Sequence, residues 1–424
     1  MIKFLADFPA PYGDIVYYLL FAIILLSFIA FSVMFFIWLE RKLSARMQDR
    51  LGPTRTGGKF GWLQSLADTI KLLTKEDTKP ALADGVLFYL APYVSFAASF
   101  AAFLVLPLGS KMVGYSLPIA AFFMLSILSS EVFGVILAGY ASAGKWSLFG
   151  GIREAAQVVS YEIPRGICLL LPVLIAGSFD LTEITSAQSG PFWNWFIFYN
   201  PFTFIGFIVF FICITASCKR APFDLAEAES ELVAGFHTEY SGLRWSFFFM
   251  AEYASMFAMS ALASILFLGG WHCGLIGGDE VTAFGSIGYL LNLICLVGKS
   301  WFLIAVMMWM RWSLPRIRID QVMMICFKYL LPISCFLLIG DALWLLLFPT
   351  NWQIYWQYAI AFTMIFVKLS TILRLFTSSN TTQPGKLPGA WQNLETPLMY
   401  QKLHHNVKQQ LASPLTQPSQ SASD

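Results

Sequence analysis

Residues 15–38 read IVYYLLFAIILLSFIAFSVMFFIW without a charge, and residues 39–50, LERKLSARMQDR, are crowded with charge. A helix rises about 1.5 Å per residue and a bilayer core is about 30 Å thick, so about 20 apolar residues cross it. The run is long enough to span, and the basic residues behind it mark an aqueous edge. Working outward, apolar windows at 88–108, 118–140, 155–178, 202–217, 245–269, 287–312 and 327–348 repeat the pattern. They predict an all-α fold: a polytopic transmembrane helical bundle of eight core spans. A ninth candidate, 355–376, is interrupted by Lys368.

Composition agrees. The chain of 424 residues is 57% hydrophobic, 17% aromatic and 12% charged, about half the charged fraction of soluble domains, which excludes an ordinary soluble enzyme. A net charge of +2 gives no footing for nucleic acid, so the placement of charge matters more than its sum. The first apolar run follows Asp14 and has no small-residue cleavage site, so it reads as a retained helix rather than a signal peptide. None of the seven cysteines forms a CxxC pair, and Cys168, Cys213, Cys295, Cys326 and Cys335 fall in apolar runs as small hydrophobes. The expectation is no disulfide, no metal site and no iron–sulfur cluster.

Lys and Arg favour cytoplasmic loops. The first loop carries Arg41, Lys42, Arg46, Arg50, Arg55, Lys59, Lys71, Lys75 and Lys79; the third, fifth and seventh carry Lys145, Arg153, Lys219, Arg220, Arg244, Arg311, Arg316 and Arg318. These odd loops are expected inside, with the N-terminus outside. Lys386, Lys402 and Lys408 place the C-terminus inside and favour the ninth span. Within the first loop, 60–73 has apolar residues at helical spacing and reads as an amphipathic surface helix. After about Ser378 the composition turns to Ser, Gln, Pro and Asn, a polar tail that cannot bury a core. No internal repeat appears, so the inverted-repeat plan of many transporters gains no support.

An ionisable side chain inside a span costs about 2.5 to 3.5 kcal/mol on insertion scales, so its default reading is functional. Glu131 in SSEVFG, Glu154 and Glu162 in GGIREAAQVVSYEIP, Glu252 in FFFMAEYASM and Lys299 in LVGKSWFLI are such residues. One alone fits a structural ion pair; five together favour a polar path. The fifth inside loop, KRAPFDLAEAESELVAGFHTEYSG, is denser still: if helical after Pro222, it sets Asp224, Glu227 and Glu231 on one stripe, with Glu229 beside them. Crowded carboxylates raise one another's pKa and can hold protons near neutral pH, or they form a solvated face for another protein. In the first loop, Lys42 and Arg50 read as orientation anchors. Arg41 next to Glu40, before a Gly-Pro turn and a surface helix, reads as the polar mouth of an apolar cavity, an arrangement suited to a quinone.

Four blocks carry a resemblance: ERKLSARMQDRLGPTRTGGKFGWLQSLADTIKLLTKED, GYASAGKWSLFGGIREAAQVVSYEIP, RAPFDLAEAESELVAGFHTEYSG with FFFMAEY after it, and RWSLPRIRIDQVM. Together they span roughly 10–350, and the chain resembles the NuoH-type family, mitochondrial subunit 1, of complex I, the respiratory NADH:quinone oxidoreductase. The resemblance implies a membrane subunit with no activity alone, whose inner loops meet peripheral-arm subunits and close a chamber for ubiquinone or menaquinone. It implies Glu40, Arg41, Arg46, Asp68, Phe236, Arg316 and Arg318 at that chamber. Glu131, Glu154, Glu162, Asp224, Glu227, Glu229, Glu231, Glu239 and Glu252 would form a proton path toward small membrane subunits and antiporter-like subunits. No flavin, cluster or metal is expected on this chain, and the membrane is the bacterial cytoplasmic one, or the mitochondrial inner one in an organelle. Some members carry a glutamate where this chain has Ser217 and Cys218, so no proton carrier is placed there. The family core ends near Phe348, leaving 1–350 as the membrane domain, 351–378 as an extra helix and 379–424 as a tail without a derived role. The alternatives are the membrane subunit of an energy-converting nickel–iron hydrogenase and an independent secondary transporter.

Overall fold

In the computed structural model, which describes residues 12–110, 113–226, 229–274, 285–348 and 355–356, every regular element is helical. The chain runs through α1 (Tyr12–Met47), the surface segment α2 (Gln64–Thr74), α3 (Gly85–Val105), α4 (Ala120–Ser129) and α5 (Glu131–Ala141). It continues through α6 (Lys145–Ala176), α7 (Leu181–Ala187), α8 (Pro201–Ser217), the single turn α9 (Glu229–Leu232) and α10 (Gly242–Phe267). Then come α11 (Ser286–Ser313), α12 (Ile319–Met324), a π-helical turn (Ile325–Leu330) and α13 (Leu331–Leu347). Among the described residues, seven helical segments are long and apolar enough to cross a bilayer, and α8 is a shorter apolar helix. The ninth candidate lies outside the described residues apart from its first two.

Composition and packing agree on which helix is central. In α10, 89% of the apolar window is buried, and the helix touches α1, α2, α3, α6, α7, α8 and α11. Its Ala251, Ala254, Ala258, Ala261 and Ala263 are buried small residues that let neighbouring backbones approach, as membrane packing requires. Phe257 locks this axis to its surroundings: its ring stacks on Phe103 at 5.7 Å and meets Phe28 edge-on at 5.8 Å. Outward faces instead carry exposed Leu19, Ile23, Phe31, Phe133, Phe302, Trp309, Phe336 and Leu346. Such an apolar girdle is a liability in water and a match for acyl chains.

Three local features differ from the sequence expectation. The span expected at 118–140 is present as Ala120–Ala141, but a one-residue turn at Ser130 divides it into α4 and α5 and sets Glu131, mid-span, at the break. Among the described residues after Pro222, the Ala221–Pro222 bond is cis, 221–226 runs as turn and irregular chain, and short helical turns follow at Glu229–Leu232 and Gly235–His237. Asp224 therefore does not share a helical stripe with Glu231, and Glu227 lies outside the described residues. Pro222, which has no N–H, and Lys219, at positive φ three residues before it, redirect the chain. Finally, Cys273 and Cys295 form a disulfide, where none was expected. A loop cysteine and a helix cysteine, 22 residues apart, met only through tertiary packing, which spacing does not reveal.

Candidate functional site

The surface segment is tied to α1 first by aromatics. Trp38 donates from Nε1 to the Phe60 carbonyl at 3.0 Å, and its ring stacks on Trp62 at 4.2 Å. This places α2 across α1 and α10 and encloses a cavity of about 320 Å3 between them. Val33, Met34, Ile37, Leu66, Phe249 and Met250 supply its apolar lining. Arg41 and Asp68, both on this cavity, form an ion pair, and Gln64 donates to the other Asp68 oxygen at 3.3 Å. Arg46 is not part of that lining. It is exposed on a separate basic recess with Lys42, Arg50 and Lys59.

Glu40 points into the bundle. One of its oxygens accepts from Arg311 Nη1 at 2.6 Å; the other accepts from the Tyr253 hydroxyl and from Arg220 Nη1 at 3.5 Å. Arg220 also reaches Glu252, Nε to Oε1, at 3.0 Å, and its guanidinium lies 4.3 Å from the Tyr253 ring centroid. Two carboxylates and two guanidinium groups thus balance one another where burial would otherwise be costly. Beside them stands a second cluster. Lys219 Nζ lies 2.9 Å from Glu131 and 2.5 Å from Glu154, with the three side chains at most 7% exposed. Burial by itself would lower the Lys219 pKa, but the two carboxylates outweigh it and hold the ammonium above its ordinary range. Glu162, one of the predicted residues, accepts from the Ser129 hydroxyl, which in turn accepts from Arg165 Nη2 at 3.1 Å.

The acidic loop lies against these clusters. Buried Asp224 is 3.2 Å from Arg316, and half-exposed Glu231 is 2.6 Å from Arg153. Phe236 sits in the turn Gly235–His237 against α6, which Gly150 makes possible: a Cβ there would fall 2.8 Å from the Phe236 nitrogen. The Phe236 ring centroid is 5.8 Å from Lys219 Nζ. Glu239 is half-buried beside Gly144. Arg318 is exposed at the start of α12, its backbone N–H donating to Gln321 at 3.2 Å. Glu227 and the Glu229 side chain lie outside the described residues.

Sequence reasoning grouped Lys299 with the polar path, and the structure gives it another place. Its ammonium donates to the carbonyls of Leu268, Gly270 and His272 at 2.5, 3.1 and 2.6 Å and lies 4.0 Å from the Trp195 ring, closing the end of α10. Other residues were missed. Lys219 and Arg220 read as loop cations. Arg165, fully buried, and Asp341, fully buried and bonded to Asn200, passed unnoticed. The criterion applied to Glu131 would have found the last two, since IPRGICLLL and LLIGDALWLLL each hold a charge inside an apolar run.

The class defined by this fold is a multi-pass helical membrane protein with a network of buried charge. A family model described as NADH dehydrogenase matches residues 20–342. A protein of Chlorobaculum parvum, named as the H subunit of NADH-quinone oxidoreductase, is 46% identical over 330 residues, covering 77% of this chain and 91% of the relative. Relatives with the same name occur in Chlorobium luteolum, 45% identical over 80% of this chain and 92% of theirs, and in Geobacillus kaustophilus, 43% identical over 73% and 87%. The chain therefore belongs to the NuoH family, the H-type membrane subunits of the NADH-quinone oxidoreductase known as complex I. It is a subunit of an oxidoreductase, with other complex I subunits as its partners, and the hydrogenase and transporter readings fall away.

Proposed function

We propose that this chain forms the wall and mouth of a quinone chamber and couples quinone reduction to proton translocation through its buried carboxylates. The carrying observation is the apolar cavity of about 320 Å3 bounded by α1, α2 and α10 with the Arg41–Asp68 pair on its lining. Apolar walls suit an isoprenoid tail, and a few convergent polar groups suit a quinone head. In this reading Glu40, Arg46, Phe236, Arg316 and Arg318 belong to the chamber side. Asp224, Glu227, Glu229, Glu231, Glu239, Glu252, Glu162, Glu131 and Glu154 carry protons. Electrons reach the quinone from peripheral-arm partners, and charge changes pass to small membrane subunits and antiporter-like subunits.

The proposed orientation puts the basic odd loops in the cytoplasm of a bacterium, with the N-terminus outside. The Cys273–Cys295 disulfide supports it, because the loop carrying Cys273 then faces the oxidising side. In the same reading residues 1–350 are the family's membrane domain, and the sequence from 351 to 424 is an addition to it. The test is Ser246→Trp, which fills the cavity from α10. In the whole complex it should raise the KM for a long-tailed quinone several-fold while leaving NADH oxidation by ferricyanide, which peripheral partners reduce, unchanged. Unaltered quinone kinetics would remove the cavity from the reading.

A further inference from the structure

We infer that Arg244 fixes the C-terminal end of the surface segment α2 against α10, and with it the width of the cavity between them, which makes Arg244 a positioning residue for the quinone tail. The inference rests on the quinone-chamber reading and deepens it, because that reading names the walls of the cavity and not what holds them apart.

The surface segment is fastened at two ends. Before its first turn, Trp38 of α1 bonds the Phe60 carbonyl and stacks on Trp62. After its last turn, the partner is the start of α10. Arg244 Nη2 lies 2.6 Å from Asp77 Oδ2, three residues beyond the end of α2. Ser241 grips the same stretch: its hydroxyl accepts from the Thr78 N–H and donates to the Glu76 carbonyl, both at 3.1 Å. Gly242, with φ of +58°, lets the two backbones meet, since a Cβ there would lie 3.2 Å from the Lys75 carbonyl oxygen and 3.6 Å from that of Leu72. Leu72 itself lines the cavity.

An ion pair in water holds little, because solvent screens it and both side chains must be ordered. Arg244 is already ordered. Its side chain is 11% exposed, and its guanidinium carbon lies 3.7 Å from the Tyr89 ring centroid and 5.5 Å from that of Phe88, both on α3. A planar cation stacked in this way is held in one orientation, here with a nitrogen on Asp77. Tyr240 secures the same corner, stacking on Phe88 at 4.2 Å and donating its hydroxyl to the Phe88 carbonyl at 3.3 Å. One side chain thus joins α3, α10 and the loop that leaves α2.

The clamp adjoins the cavity in the chain as well as in space. Trp245 and Ser246, the next two residues of α10, line the cavity, as do Thr69 and Leu72 of α2. A gap held at one width receives a tail without first having to be ordered, and pre-organisation of this kind favours binding. Without the guanidinium, Asp77 loses its counter-charge and the tail must order this end of α2 as it binds. Arg244 touches none of the chemistry at the quinone head, so its loss should appear in KM and scale with tail length.

The experiment measures NADH:quinone reductase kinetics of the whole complex with two quinones of the same head group, one carrying a long isoprenoid tail and one a decyl tail. Arg244→Gln should raise the KM for the long-tailed quinone several-fold and leave kcat and the KM for the decyl quinone unchanged. Asp77→Asn should do the same, and the double variant should add nothing to either, as expected for partners in one contact. An unchanged KM for the long-tailed quinone overturns the inference, and so does an equal rise for both quinones. If Ser246→Trp raises the long-tail KM and Arg244→Gln does not, the inference fails and the cavity reading survives. An inert Ser246→Trp removes the cavity reading and this inference with it. Where Arg244→Gln does not assemble, Asp77→Asn, whose side chain is 39% exposed, decides by the same criterion.

Discussion

Arg311 Nη1 and Glu40 Oε1 stand 2.6 Å apart although 271 residues separate them, so the C-terminal end of α11 is fastened to the C-terminal end of α1 by charge. The same carboxylate takes the Tyr253 hydroxyl and faces Arg220. Glu40→Gln leaves two guanidinium groups with a neutral neighbour, and removing one member of a buried pair costs about 3 to 5 kcal/mol. The expected outcome is a lower thermal midpoint and less intact complex on native gels. An unchanged midpoint would mean that Arg311 finds its counter-charge elsewhere.

Arg41 and Asp68 should behave differently, because their side chains are 45% and 25% exposed. Exposed pairs contribute about 0 to 1 kcal/mol, so Asp68→Asn should leave thermal stability nearly unaltered. Their place on the cavity lining predicts an effect on quinone handling instead, seen as a several-fold rise in KM at constant assembly.

Burial, and after it the nearby Glu131 carboxylate, push the Cys218 thiol up to about 12. An unfolded cysteine ionises near 8.5, so the folded chain binds the extra proton between those values and loses stability as pH rises through that window. Below it, Cys218 should resist maleimide in the native complex at pH 7 to 8 and react once the chain is denatured. Labelling of native Cys218 at neutral pH would contradict the enclosed site described for the turn after α8.

The disulfide gives a direct chemical check. Peptide mapping without reductant should recover Cys273 and Cys295 in one linked species, and Cys273→Ser should lower thermal stability. In the chain-entropy account a crosslink over a loop of this length contributes about 3 kcal/mol. Separate peptides from an oxidised sample would leave the loop after α10 untethered.

Much of the fold was legible because a bilayer demands long uncharged runs, and runs such as 15–38 and 88–108 announce themselves. Boundaries slipped where a helix continues beyond the lipid: α6 begins at Lys145, ten residues before the apolar window. The interrupted span at Ser130 left no mark in hydropathy, since both halves are apolar. At the site, the acids stood out as charges in apolar text. Their cationic partners did not, because Lys219, Arg220 and Arg311 sit at helix ends, where a basic residue ordinarily reports orientation. Which cation meets which acid depends on contacts between residues as distant as Glu40 and Arg311, and no local pattern encodes that.

Arg220 serves Glu40 and Glu252 together, while Lys219, the residue before it, serves Glu131 and Glu154. Two adjacent codons therefore hold the counter-charges of four acids from four helices. A single replacement in this dipeptide removes counter-charge from acids that lie far away in the gene, although Glu40 keeps Arg311, so changes at these positions are expected to be coupled in descent.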